Sequence, residues 1–495
     1  MLLLLALSCS GDPDPSAPSD PGPLFPAPEE HPELWASGGP ATDFDGDELF
    51  TGCAEIDGGP ESFDTHNLVA PYRGYLVLPW ASEWGQGGLS LFDMSEPCQP
   101  EKVADSFAAN MRETHAIGFL HLPEGDEHEG DYAIVNGQKG VLVWDLSDPT
   151  DPVELSELRI DEVWWPDAYA RVAFSVFWQY PYIYLAAADN GVYVIDSTDP
   201  TDLQVLSHVP FDPVFRAGGV FVMGTEMLLI SAEQTEAALL NVSDPTDPQL
   251  HPGGRFTIRS GDGEPREAYA GSMVGPHALF ARKDAGGGAI VYDITDPTAP
   301  TFVGEYHEED AGGGYIFAHE GILFVGNSNA GDVYDATDPE NITKVGRGDL
   351  PGDLDTVVPF GNVAVFSVDD EAEEQVASLV MPWREAADTR GPRVGRTVPG
   401  DGAVGVATTA RIGVGFDEFV EPVTVHAGAL RVSDEAGQPV AGWGSAQETI
   451  AHWSPKEPLE PMTTYTVEVM AGGIEDVSGN PVDETVSFTF TTGAE

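Results

Sequence analysis

Val143-Trp144-Asp145-Leu146-Ser147-Asp148-Pro149 is the stretch whose reading decides the fold, because the chain repeats it. Equivalent segments are Leu91-Phe92-Asp93-Met94-Ser95-Glu96-Pro97, Val194-Ile195-Asp196-Ser197-Thr198-Asp199-Pro200, Leu239-Leu240-Asn241-Val242-Ser243-Asp244-Pro245, Val291-Tyr292-Asp293-Ile294-Thr295-Asp296-Pro297 and Val333-Tyr334-Asp335-Ala336-Thr337-Asp338-Pro339. The third residues, at 93, 145, 196, 241, 293 and 335, are separated by 52, 51, 45, 52 and 42 positions. The apolar pair ahead of the marker belongs to a buried strand. The marker Asp or Asn accepts backbone N–H groups as that strand ends, and the Pro fixes φ and forbids continuation. A period of this length suits one four-stranded sheet, and sheets that bury their faces only against neighbours close naturally into a ring.

Upstream of each marker lies a second β-rich run, as in Tyr182-Ile183-Tyr184-Leu185-Ala186-Ala187 and Ile322-Leu323-Phe324-Val325-Gly326. A degenerate seventh copy, Val363-Ala364-Val365-Phe366-Ser367 followed by Val376-Ala377-Ser378-Leu379-Val380-Met381, has lost the Asp-Pro turn. The repeats resemble the LVIVD-repeat family, which implies a β-propeller on a bacterial or archaeal surface protein and no shared enzymatic activity. Beyond Trp383 the period stops. Ile412-Gly413-Val414-Gly415-Phe416, Leu459-Glu460-Pro461-Met462-Thr463-Thr464-Tyr465, Asp476-Val477-Ser478-Gly479-Asn480 and Phe488-Thr489-Phe490-Thr491-Thr492 resemble an SbsA-type bacterial Ig-like domain, which implies a spacer or adhesion module. Alternation of Tyr465, Val467 and Val469 carries the period-2 signal of half-buried strands. The expected fold is therefore all-β: a seven-bladed β-propeller over 39–385, followed by an Ig-like β-sandwich over 392–495.

The rest of the chain concerns its address. Ala6-Leu7-Ser8-Cys9, after the apolar run Leu2–Leu7, resembles a bacterial lipobox and makes 1–9 a signal region with Cys9 as the lipidated residue, although no Lys or Arg precedes the run. Residues 10–38, with Gly11-Asp12-Pro13-Asp14-Pro15 and Pro21-Gly22-Pro23, read as a disordered Pro/Asp-rich linker. The expected location is exported, lipid-anchored display on the bacterial outer membrane or cell surface, with a periplasmic or secreted protein as the alternative. In such a compartment the remaining pair, Cys53 and Cys98, is expected to form a disulfide between the segment before the first blade and that blade's outer edge.

With 21 Lys and Arg against 83 Asp and Glu, the net charge of −62 disfavours nucleic acid and anionic lipid as partners, so membrane contact is expected only through the N-terminal lipid. The sequence holds no Gly-x-Ser-x-Gly elbow, no His-Glu-x-x-His, no Cys-x-x-Cys and no Gly-Lys-Ser/Thr phosphate loop. One pattern points to a site. Before each innermost strand an acidic residue recurs, often with His or Tyr two positions on: Asp64-Thr65-His66, Glu113-Thr114-His115, Asp167-Ala168-Tyr169, Glu267-Ala268-Tyr269, Asp310-Ala311-Gly312 and, shifted, Asp355. Blade four breaks the series with Phe215-Arg216. Inner strands line a propeller's channel, so such residues are expected to ring one mouth. The carboxylates would supply oxygen ligands to Ca²⁺ or another divalent cation, or else raise one another's pKa values. His66 and His115 would be the pH-sensitive members, and Arg216 would orient an anionic group. Alternatively each acid caps its own turn and faces water. The leading expectation is a non-catalytic binding, adhesion or display module for a protein or carbohydrate ligand, with no cofactor beyond such a cation. The other reading is a propeller hydrolase acting on lactones or esters with the cation as Lewis acid.

Overall fold

The computed structural model describes residues 25, 42–59, 68–81, 86–164, 170–309, 311–369 and 376–494. Among them lie nine four-stranded sheets and one short 3-10 turn, Pro422–Thr424. Seven of the sheets are antiparallel meanders and form the blades of a propeller. Six of them run in sequence order from the channel outwards, over 70–108, 118–159, 175–209, 217–257, 268–308 and 316–348. In blade three the strands are Ser175–Gln179, Tyr182–Ala186, Val192–Asp196 and Gln204–Val209. Its first three are almost wholly buried and its fourth is mostly exposed, as an inner-to-outer order requires.

The repeated marker is the last residue of the third strand in each of these six blades. Its turn chemistry is visible atom by atom. Asp196 Oδ1 accepts the Thr198 N–H at 2.9 Å and its hydroxyl at 2.7 Å, and Asp199 does the same for Thr201 at 2.8 and 2.6 Å. Asn241, the one departure from Asp, still accepts the Ser243 N–H at 2.8 Å, because an amide oxygen serves as well as a carboxylate here.

Blade seven is built differently. Thr356–Phe360, Val363–Ser367 and Ser378–Pro382 supply three strands, and the outermost, Ala54–Ile56, comes from the other end of the propeller. Ala54 pairs with Val380 and Ile56 with Ser378, so the chain closes its own ring. Cys53 and Cys98 are joined in a disulfide with a Cα–Cα separation of 5.1 Å. From sequence, Cys53 falls merely ahead of blade one; the bond in fact links blade seven's outer strand to blade one, across the seam.

The last two sheets face each other in a sandwich. One orders Val394–Val398, Ile412–Phe416, Ile450–Pro455 and Gly442–Gln447; the other orders Ala403–Val406, Val486–Thr492, Thr464–Val469 and Leu430–Ser433. Val414, Phe416, Trp453, Val467, Phe488 and Phe490 fill the space between them. The sandwich is no detached spacer. It sits across one mouth of the propeller and touches the ends of the inner strands around it. The Arg73 N–H of blade one donates to Glu421 at 2.9 Å, and the Trp443 indole reaches Asp126 of blade two at 3.4 Å. In blades three to five, Trp178 N–H donates to Gln447 Oε1 at 2.8 Å, His452 Nε2 donates to the Val222 carbonyl at 2.9 Å, and Thr449 Oγ1 donates to the Met273 carbonyl at 2.9 Å. The carbonyl partner fixes the proton of His452 on Nε2, and burial holds its pKa down at about 4.

Arg411 is the most heavily bonded of these anchors. Its Nε donates to Gln179 Oε1 at 3.0 Å, its Nη2 to Tyr184 Oη at 3.0 Å and to the Val242 carbonyl, and its Nη1 to the Ser243 carbonyl at 3.2 Å. Blade six joins through an ionic cluster. His319 Nδ1 lies 3.1 Å from Glu418 and its Nε2 3.3 Å from Asp388, while Arg390 holds Asp417 at 2.8 Å and, with Arg384, Glu320. Burial works against the charge on His319, but Asp388 and Glu418 outweigh it and raise its pKa to about 10. The positive charges of this cluster are the protein's own, so it is a latch between domains.

Candidate functional site

With the far ends of the inner strands covered by the sandwich, the channel is a cavity with a floor. Its empty volume is about 650 Å³ including its opening. Leu68, Phe174, Val220, Phe221 and Phe317 make its walls greasy, and His115, Tyr269 and Tyr315 add rings with polar tips. Space exists because blades four and five place Gly218, Gly219, Ala270 and Gly271 on their inner strands. The three polar rings lean on one another, with centroids 6.5 Å apart for His115–Tyr269, 6.1 Å for His115–Tyr315 and 5.6 Å for Tyr269–Tyr315.

Acids gather at the mouth where the inner strands begin. Asp353, Asp355 and Asp369 each present an oxygen within 4.8 Å of the others. Backbone pairing puts them there: the Asp369 N–H donates to the Asp353 carbonyl at 2.9 Å, and Asp355 leads directly into the inner strand Thr356–Phe360. Glu113, only 2% exposed, joins them from the segment before the inner strand of blade two and shares a hydrogen bond with Asp369. His115 Nε2 stands 3.3 Å from Glu113 Oε2, and Arg112 3.8 Å from the same oxygen. Burial alone would raise Glu113, but His115 and Arg112 hold its pKa well below the usual carboxylate range. For Asp355 and Asp369, burial and the neighbouring carboxylates push the pKa far up. One nearby cation, Lys283, is spent elsewhere: its ammonium bonds Glu233 at 2.9 Å and lies 4.3 Å above the Tyr269 ring.

The expected ring of equivalent acids is thus only partly assembled among the described residues. Glu113, His115, Tyr269 and Asp355 converge. Glu267 does not join the acid group; its backbone is tied to Asp284 and Lys283, at 2.8 and 2.9 Å. Arg216, expected to orient an anionic group, is engaged by Asp189 at 2.9 Å. The series breaks because the acids stand at unequal distances from their strands: Glu267 and Asp355 immediately precede theirs, whereas Glu113 stands five residues ahead of Gly118. Asp64, His66, Asp167, Asp310 and Cys9 lie outside the described residues. Asp353 and Asp369 give no signal in the sequence because blade seven lacks the repeat that would have placed them in register.

Residues 388–492 match the family model for a bacterial Ig-like domain, and 129–158 and 284–308 match that for the LVIVD repeat. The chain therefore carries LVIVD repeats in blades two and five and a bacterial Ig-like domain behind the propeller. The family match begins at Asp388, four residues ahead of the sequence-based boundary, and so includes the latch residue. No curated relative matches the chain. Solved structures similar to it include a putative 6-phosphogluconolactonase from Bacteroides fragilis, at 12% identity over 63% of this chain and 96% of that one, TM-score 0.47. The Cps50 (Swd1) β-propeller domain of Myceliophteria thermophila matches at 12% identity over 66% of this chain and 98% of that one, TM-score 0.47. The periplasmic gluconolactonase of Pseudomonas aeruginosa matches at 11% identity over 57% and 84%, TM-score 0.46. Likenesses at this level say nothing of ligand or activity.

Proposed function

We propose that the protein is an exported, lipid-anchored surface module that captures a ligand at the open mouth of its propeller, with a divalent cation held by Asp353, Asp355, Asp369 and Glu113. The observation that carries this reading is the convergence of three aspartates whose oxygens lie within 4.8 Å of one another at the mouth of the cavity. Burial first, and then like charges so close, push the pKa values of Asp355 and Asp369 up. A divalent cation would relieve that repulsion, and carboxylate oxygens are the ligands Ca²⁺ prefers. The function is binding. Cys9 would carry the lipid, and the segment after it would hold the propeller away from the membrane.

Thermal unfolding with and without 5 mM Ca²⁺ tests this. Calcium should raise the melting temperature of the wild-type chain and leave Asp355→Asn unmoved; equal responses, or none, overturn it. A second reading has one observation behind it. His115 beside Glu113 is the pairing a general base needs, and next to a cation it suits hydrolysis of a lactone or ester. Calcium-dependent turnover of such substrates, abolished in His115→Gln, would replace the binding reading with the enzymatic one.

A further inference from the structure

The floor of the cavity has chemistry of its own. It is formed by the tip of the hairpin between Gly442–Gln447 and Ile450–Pro455, where Gln447 pairs with Ile450 and the turn is just Glu448-Thr449. Glu448 has φ +54°, in the left-handed region. Two-residue hairpin turns with positive φ at their first position favour Gly or Asn, and any other side chain is strained there. The conformation persists because both neighbours are pinned to the propeller. Gln447 accepts from Trp178 N–H at 2.8 Å and donates to the Val176 carbonyl at 3.1 Å, and Thr449 is held by Met273. Such a device fixes the direction of one carboxylate, and strain kept at a cavity wall points to use.

Glu448 lines the cavity together with Phe174, Tyr269, Tyr315 and Phe317. The side chain is half-buried and lines the cavity. Among the described residues its one side-chain hydrogen bond comes from Ser272 Oγ at 3.3 Å, long for an O–H···O contact, and no Lys, Arg or His stands within ion-pair distance. Burial accordingly raises its pKa to about 7, against the pull of Ser272. At the acidic end of the same cavity, the buried Tyr315 hydroxyl has no hydrogen-bond partner among the described residues. A single carboxylate is too poor a donor set for Ca²⁺, which takes about six to eight oxygens. Beneath aromatic walls it suits an organic cation, whose charge the carboxylate meets and whose carbon chain and ammonium the ring faces accept.

We infer that Glu448, contributed by the Ig-like domain, makes the channel floor a receptor for the ammonium group of a primary alkylamine, so that the ligand site belongs to both domains. This rests on reading the channel as the ligand site and adds the class of ligand that fits it. The test is calorimetric titration of the full chain at pH 8 with n-pentylamine, and with n-pentanol as its uncharged counterpart. Wild type should bind the amine and not the alcohol. Glu448→Gln should weaken the amine at least tenfold. Glu448→Gly, whose backbone suits the left-handed turn, should melt no lower than wild type and lose the amine equally, which separates lost recognition from lost folding. No amine binding by wild type overturns the assignment, as does equal binding by Glu448→Gln, which would put the amine at the acidic mouth. Amine binding that depends on Glu448 in a chain indifferent to calcium would instead remove only the cation proposal.

Discussion

Replacing Arg411 with Ala should undock the sandwich from the propeller. The guanidinium is 2% exposed and spans the boundary with four acceptors: Gln179 Oε1, Tyr184 Oη and the carbonyls of Val242 and Ser243. The Ser243 carbonyl keeps the Thr409 hydroxyl and Gln179 keeps the Tyr184 hydroxyl, but the Val242 carbonyl and Tyr184 Oη lose their donor, at on the order of 1 kcal/mol each and so about 2 kcal/mol together. The space vacated by the side chain adds to that loss, and the guanidinium's recovered hydration subtracts from it. Lys should rescue little, since one ammonium cannot reproduce a planar fork that reaches both a side-chain amide and backbone carbonyls. Scanning calorimetry is the assay. Wild type should unfold its sandwich together with the propeller, whereas Arg411→Ala should show a separate, earlier sandwich transition, and urea unfolding should give the energy. A loss below about 1 kcal/mol with a single transition retained would show that the anchor does not hold the domains together, and the floor of the cavity would lose its support.

The same structure carries further expectations. His319, with its folded pKa near 10 against an ordinary value of about 6.5, stabilises the junction fully below pH 6.5 and progressively less as pH rises through 10; calorimetry between pH 7 and 10 should show this decline in wild type and a flatter profile in His319→Asn. Asp476, raised to about 8 by burial and then by Glu418, acts in the same direction, since it must ionise at a cost as pH climbs. Without calcium, Asp355→Asn should be more stable than wild type at pH 8, because it removes one of the crowded carboxylates; a loss of stability there would mean that Asp355 is an ordinary structural acid. Cutting the Cys53–Cys98 bond by double substitution to Ser frees a closure across 45 residues and should cost about 4 kcal/mol by loop entropy, read from urea midpoints under oxidising conditions.

The architecture was legible in the sequence for a local reason. A marker Asp bonds the residue two positions on, and a Pro ends the strand within the same short segment, so each blade announces itself through neighbours in the chain. The sandwich was legible in the same way, from the alternation of Tyr465, Val467 and Val469. The consequences of ring closure were not legible. Ala54–Ile56 becomes part of blade seven only when the ring's two ends meet, and no period marks a strand borrowed from over three hundred residues away. The site shows the contrast most clearly. Glu113 and His115 stood out by spacing, but Asp353 and Asp369 reach them through a degenerate blade, and Glu448 through the docking of a second domain. Periodicity records which residues are equivalent along a chain; which of them share a cavity depends on loop lengths and domain contacts, and those are settled only when the surfaces pack.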